Sequence, residues 1–348
     1  MAKAVNVGNL IVGGENPVWI QSMTTTDTLD AAATKAQVDA LAKAGCDLVR
    51  IAVSSIDEVN ACRNFLSCTS VPLVADIQFD YRLAIACADA GFSKIRFNPG
   101  NIGSDSRVAE VAAACKRNRV PIRIGVNSGS LEKEAEASYG RTAEALAESA
   151  LKHVALLEKH GFYEIIISAK ASDVKMTVKA NRILAEKSDY PLHLGVTESG
   201  SREYGLVKSA VGIGSLLADG IGDTVRVSLT GDPIQEISAA KMILKATGRY
   251  LKGCEIISCP TCSRCKYDIT NILDDITSYV KNIDTPLKIA VMGCAVNGPG
   301  EAKDADLGVA GGKEKSVIFK KGQIFKTVDN ASVAAELKTI IDGLCKKP

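Results

Sequence analysis

A chain of 348 residues, 46% of them apolar, is long enough for a barrel with a smaller companion and rules out a lone domain of about 100 residues. With 42 basic and 40 acidic side chains, a formal charge of +2 and only 5% aromatics, neither electrostatics nor stacking argues for a nucleic-acid partner. No uncharged apolar run approaches the roughly 20 residues of a membrane crossing, and MAKAVNVGNL has neither a signal-peptide core nor a transit composition, so a cytoplasmic protein is expected.

In chain order, VNVGNLIVGG reads as a hairpin turning on Gly8 and Asn9, placed to plug the bottom of whatever follows. From 18 to 232 a β-rich run alternates with a longer stretch of helical periodicity. The runs are VWIQSM (18–23), DLVRIAVS (47–54), PLVADIQF (72–79), KIRFNPG (94–100), PIRIGVNSG (121–129), EIIISAKAS (164–172), PLHLGVTESG (191–200) and TVRVSLTGD (224–232). Intervening segments such as TAEALAESALKHVALLEKHG carry apolar residues at three- and four-residue steps and close on glycine, as helices do. This alternation predicts an α/β protein with a closed parallel (β/α)8 TIM barrel over 1–250. Beyond it, a helical stretch at 268–282, the strand LKIAVMG, then LGVAGG and SVIFKKGQIFKTV predict a small α+β domain over 251–348.

Barrel function sits at the C-terminal ends of the strands. There the sequence places Arg50, Asp76, Arg96 with Asn98, Arg123 with Asn127, Ser168 with Lys170, Thr197 with Glu198, and Arg226 with Ser228. Most partners within these pairs are two or four residues apart and share a strand face. A few polar residues in a barrel core usually form a paired network, but cations on this many strands outnumber the carboxylates available to them. A phosphate or diphosphate ligand resolves the imbalance, since Arg contacts phosphate oxygens two at a time. On pattern alone, Glu198 in VTESG is either a proton-transfer group or a salt-bridge partner for one of these arginines.

Eleven cysteines in a chain without an export signal indicate thiols that pack, bind metal or catalyse. Seven are dispersed and fit no ligand spacing, but SCPTCSRC brings Cys259, Cys262 and Cys265 together. Cys294 follows the apolar strand KIAVMG, and a Gly/Asn/Pro turn leads on to Glu301. A CxxC pair alone is shared by redox pairs and zinc knuckles. A further cysteine beside a glycine-rich turn favours a metal or cluster site, and the absence of a second CxxC or a CxH pair counts against structural zinc.

QSMTTTDT, VRIAV, RFNPGNIG, RIGVNSGSL, SAKASD, LGVTESG, ISCPTC and MGCAVNGPGEAKDADLG, in this order, make the chain resemble the 4-hydroxy-3-methylbut-2-enyl diphosphate synthases of the non-mevalonate isoprenoid pathway. The resemblance implies a diphosphate-binding barrel followed by a domain carrying a 4Fe-4S cluster, held here by Cys259, Cys262, Cys294 and Glu301. It implies reductive ring opening and dehydration of 2-C-methyl-D-erythritol 2,4-cyclodiphosphate with two electrons from ferredoxin or flavodoxin. Arg96, Asn98, Arg123, Asn127, Lys170, Thr197, Arg226 and Ser228 would hold the substrate, and Glu198 would give a proton to the departing hydroxyl. A head-to-tail homodimer is also implied, with the barrel of one subunit facing the cluster domain of the other. Two positions depart from the family pattern: Gln78, where histidine is usual, and Cys265, where no thiol is required. The competing readings are a barrel lyase or transferase with a structural zinc ribbon, and an electron carrier scaffolded by a barrel.

Overall fold

The computed structural model describes residues 2–250, 252–265, 267–294, 300 and 303–345. The chain divides into two compact units, Met1–Tyr250 and Leu251–Pro348.

The first unit opens with the expected hairpin, β1 (Val5–Val7) and β2 (Leu10–Val12), antiparallel around Gly8 at φ +59°. Eight parallel strands follow: β3 (Trp19–Met23), β4 (Leu48–Ala52), β5 (Leu73–Asp76), β6 (Lys94–Phe97), β7 (Ile122–Asn127), β8 (Ile165–Lys170), β9 (His193–Leu194) and β10 (Thr224–Val225). They pair in sequence, and β10 pairs back onto β3. A parallel bridge between Ile167 and Leu192, with Ile167 N donating to Pro191 O at 2.9 Å, joins β8 to the start of β9 and closes the barrel.

Outward-facing Val49, Ile51, Ile95, Phe97, Ile122 and Ile124 pack under the helices in one large core. The helices start where side chains can cap them: Asp30 accepts from Ala33 N, Asp173 from Met176 N, and Ser55 with Glu58 forms a reciprocal capping box. Val5, Val7 and Val12 of the hairpin pack on Leu48, Val74 and Ile166, inward residues near the strand N-termini, and so plug the barrel floor.

Two expectations need correction. The runs at 191–200 and 224–232 keep regular pairing for only two residues each, in β9 and β10. Gly195 follows β9 where a Cβ would lie 2.6 Å from Arg226 O and 2.7 Å from Lys170 Nζ, so backbone and charged side chain occupy the space a regular strand residue needs. In KIRFNPG, the strand stops at Phe97; Asn98 caps a short helix, Pro99–Ile102, whose proline suits a first helical position.

In the second unit a five-stranded sheet runs β11 (Glu255–Ser258), β12 (Lys288–Met292), β13 (Leu307–Gly311), β14 (Lys315–Lys320) and β15 (Gln323–Asp329). The first two pairings are parallel and the last two antiparallel. Helices Ile269–Val280 and Val333–Cys345 cover one face through Ile276, Val280, Leu337 and Ile341. The sequence reading contained the first of these helices but neither the second nor strand β11.

Candidate active site

Strand register sorts the inward-facing barrel residues into layers drawn from alternate strands. Leu48, Lys94, Ile166 and Thr224 form the lowest, above the hairpin. Gln21, Val74, Arg123 and His193 come next, then Arg50, Arg96, Ser168 and Arg226, then Met23, Asp76, Gly125 and Gly195. Such layers are ordinarily branched and apolar; the second and third here are chiefly polar.

The arginines are held by a small number of acceptors. Asp76 Oδ1 accepts from Arg96 Nη1 at 2.8 Å, and its Oδ2 lies 3.6 Å from Arg50 Nε. Arg50 also directs Nε and Nη2 at the Met23 sulfur, 3.1 and 2.9 Å away. Arg123 Nη1 donates to Ser168 Oγ at 2.6 Å, while its Nε and Nη2 are buried without a partner among the described residues. Arg226 donates to both oxygens of Glu236, at 3.1 and 3.3 Å, and Ser22 Oγ donates to the same carboxylate at 2.8 Å. Gly125 and Gly195 lie in the layer directly above these arginines: a Cβ at Gly125 would collide with the Arg96 guanidinium, and one at Gly195 would meet Lys170 Nζ at 2.7 Å. The two missing side chains leave room for the Arg96 guanidinium and the Lys170 ammonium to lie over the barrel axis.

Electrostatics follows from the crowding. Burial pulls Arg50 down to about 10 even though Asp76 opposes the shift. Burial, then the charges of Arg123, Arg50, Arg226 and Arg96, push Lys170 well below the usual lysine range. Burial alone would raise Asp76, but Arg50 and Arg96 prevail and hold it below the ordinary carboxylate value. An added anion would relieve repulsion that the protein's own carboxylates leave uncompensated.

Of the residues singled out from sequence, Arg50, Asp76, Arg96, Asn98, Arg123, Ser168 and Lys170 are buried. Asn127, Thr197, Arg226 and Ser228 are half-buried. Asn98 spends its Oδ1 on Gly100 N at 3.1 Å, and its Nδ2 has no partner among the described residues. Glu198 is exposed and stands at φ +51°, a left-handed backbone that a non-glycine residue adopts at a cost. Ser199 Oγ donates to Ser228 O and ties this turn to the segment after β10. Gln78 is exposed, just beyond β5.

Sequence reasoning missed Glu236, Lys94, His193 and Gln21. Glu236 belongs to the helix Ile234–Ala246, three residues past Pro233, and GDPIQE was the available signal. Lys94 opens β6 and its alternation with Arg96 turns it inward, which was also visible.

In the second unit, β11 and β12 end side by side, with Ser258 opposite Val291, so Cys259 and the pair Gly293–Cys294 leave the sheet at the same edge. Ligand sites in parallel sheets occupy this position. Gly293 N donates to Cys259 Sγ at 3.1 Å, the kind of amide–sulfur bond that supports an iron–sulfur ligand. Cys262 is exposed, and the Arg264 N–H followed by the Arg264 side chain lower its thiol toward thiolate. Cys265 Sγ donates to Tyr267 O at 3.3 Å, and a Cβ at Gly293 would lie 2.7 Å from that sulfur. Among the described residues no three cysteine, histidine or carboxylate side chains converge as metal ligands; Glu301 lies outside the described residues. The soft thiolate donors of Cys259, Cys262 and Cys294 suit an iron–sulfur cluster, and the Cys259 sulfur already accepts an amide N–H.

Comparison with known proteins agrees with this architecture. The family model described as GcpE TIM-barrel domain matches residues 2–241, and that described as GcpE protein C-terminal domain matches 255–343. A relative from Caldanaerobacter subterraneus subsp. tengcongensis, named 4-hydroxy-3-methylbut-2-en-1-yl diphosphate synthase (flavodoxin), is 50% identical over 348 residues, covering 100% of this chain and 98% of its own length. A protein of the same name from Clostridium perfringens is 52% identical over 343 residues, covering 98% of each. Among solved structures, Yersinia pestis dihydropteroate synthase superposes with a TM-score of 0.52 at 12% identity, over 71% of this chain and 100% of that one, a likeness of fold alone. Both halves of the family model fall on the two units seen in the structure, and the chain belongs to the GcpE family.

Proposed function

We infer that the chain is an iron–sulfur oxidoreductase that converts 2-C-methyl-D-erythritol 2,4-cyclodiphosphate to 4-hydroxy-3-methylbut-2-enyl diphosphate. Two electrons and two protons enter, the ring C–O bond to phosphate breaks, a carbon–carbon double bond forms and one hydroxyl leaves as water. The observation that carries this reading is the excess of buried cations around the Gly125 and Gly195 layer, in a chain about half identical to enzymes of that name along its whole length.

Arg50, Arg96, Arg123, Lys170 and Arg226 bind and orient the diphosphate, with Asn98, Asn127, Thr197 and Ser228 as neutral contacts. Asp76 and Ser168 fix the arginines before the ligand arrives. Glu198, on its left-handed turn, delivers the proton to the departing hydroxyl oxygen. Cys259, Cys262, Cys294 and Glu301 would hold a 4Fe-4S cluster, with Gly293 N–H supporting the Cys259 sulfur. When bound, that group would supply the two electrons and a Lewis-acidic iron.

The electron donor in this reading is flavodoxin, named for the relatives, or a ferredoxin of equivalent role. The protein works in the cytoplasm as a head-to-tail homodimer. Mixing a Cys259→Ser subunit with an Arg123→Met subunit tests the assembly: recovered turnover is expected, and none on mixing would refute it. For the reaction, anaerobically prepared protein with a reductant should turn the cyclic diphosphate into the linear product. A colourless protein holding zinc, or a brown one without turnover, would overturn the assignment.

A further inference from the structure

We propose that Lys94 is a proton-linked element of the barrel's anion site, its amine gaining a proton as a diphosphate settles above it, so that ligand binding and proton uptake are coupled. This rests on the reading of the barrel as a diphosphate site.

Lys94 is 0% exposed, and its Nζ has no hydrogen-bond partner among the described residues. Register puts it in the lowest layer with Leu48, Ile166 and Thr224, above the apolar hairpin. Among the described residues no carboxylate is available there: Asp76 is shared by Arg50 and Arg96, and Glu236 is engaged by Arg226, Ser22 and Leu229 N. The groups facing it from the surrounding strands are Gln21 of β3, Arg123 of β7 and His193 of β9 in the next layer, then Arg50 of β4, with Lys170 of β8 further up. An ammonium sealed among guanidiniums is costly, and lysine, unlike arginine, can discard its proton. Burial first, then the charges of Arg123 and Arg50, act on this amine in the same sense, driving it toward the neutral form.

A diphosphate over the Gly125 and Gly195 layer reverses that balance. Its charge offsets the arginines directly above Lys94, so the amine regains basicity. Buried water would satisfy the orphaned Lys94 Nζ, Arg123 Nε and Nη2, Gln21 amide and His193 Nε2 equally well, but would leave the proton count unchanged. His193 is the other candidate acceptor: Nδ1 is 2.7 Å from Thr224 Oγ1, and Nε2 is unpartnered among the described residues.

The test is calorimetric titration of the cyclic diphosphate into the cluster-loaded protein without reductant, near neutral pH, in buffers of different ionisation enthalpy. The ligand's phosphates are strongly acidic diesters and contribute no proton of their own. Wild type should take up as much as about one proton per barrel, with affinity rising up to about tenfold per unit fall in pH. Lys94→Met, which removes an unpartnered amine from an apolar floor, should still bind but with neither uptake nor pH dependence; His193→Gln should keep both. Buffer-independent heats in wild type, or uptake that survives Lys94→Met or vanishes in His193→Gln, would overturn the proposal while leaving the diphosphate reading intact. Failure of wild type to bind the cyclic diphosphate would remove that reading, and this proposal with it.

Discussion

The barrel and the cysteine edge of the second unit place charged groups by opposite means. In the barrel, strand pairing fixes Arg50, Arg96, Arg123 and Arg226 in layers, and Asp76, Ser168 and Glu236 hold their guanidiniums before any ligand is present. At the cysteine edge, Cys259 is positioned by one amide, Cys262 is exposed on a turn, and the described ligand residues do not converge. A sheet can store repulsion because its register costs little to maintain. A loop cannot, so in the proposed function these cysteines would gather only when a bound metal repaid the ordering. One region is preorganised, and the other would be completed by what it binds.

The largest expected effect separates chemistry from preorganised binding. Glu198→Gln should lower turnover by roughly 100- to 10,000-fold, the usual share of a general acid, with little change in dissociation constant for the cyclic diphosphate. Weakened binding with preserved turnover would make Glu198 a binding group instead.

Next, Asp76→Asn should leave Arg50 and Arg96 without their shared carboxylate and cost about 3–5 kcal/mol, read from chemical denaturation. The cyclic diphosphate should return part of that stability. Because the folded protein holds Asp76 below its ordinary value, the stabilisation is present above about pH 4 and is lost as pH falls through the lower folded value. The variant should lack this component of acid sensitivity; an unchanged acid limb would count against the network.

Smallest is Gly293→Ala, whose Cβ would press on the Cys265 sulfur at 2.7 Å. About 1–3 kcal/mol of local strain is expected, seen as reduced iron content on reconstitution with barrel stability unaltered. Full iron loading would show that the cysteine edge adapts more freely than its geometry suggests.

Much of this was legible in the residues. Alternating β-rich and helical runs require a repeated β/α unit, because each strand's outward face must be covered by the helix that follows it, and eight such runs close a barrel. Cations on successive strands were visible for the same reason: residue alternation puts Lys94 with Arg96, and Arg123 with Asn127, on one face. What the spacing left open was depth and partnership. Glu236 reaches Arg226 from a helix, a contact no strand pattern contains. Regular pairing of β9 and β10 lasts only two residues each, and the next inward position, Gly195, has no room for a side chain beside Lys170 and the Arg226 carbonyl. Local alternation decides which way a side chain points, and that much the sequence determined alone. Which carboxylate meets which arginine, that Glu198 stands on a left-handed turn, and that Lys94 is buried with no hydrogen-bond partner among the described residues depend on layers drawn from strands far apart in the chain, and only the closed barrel decided them.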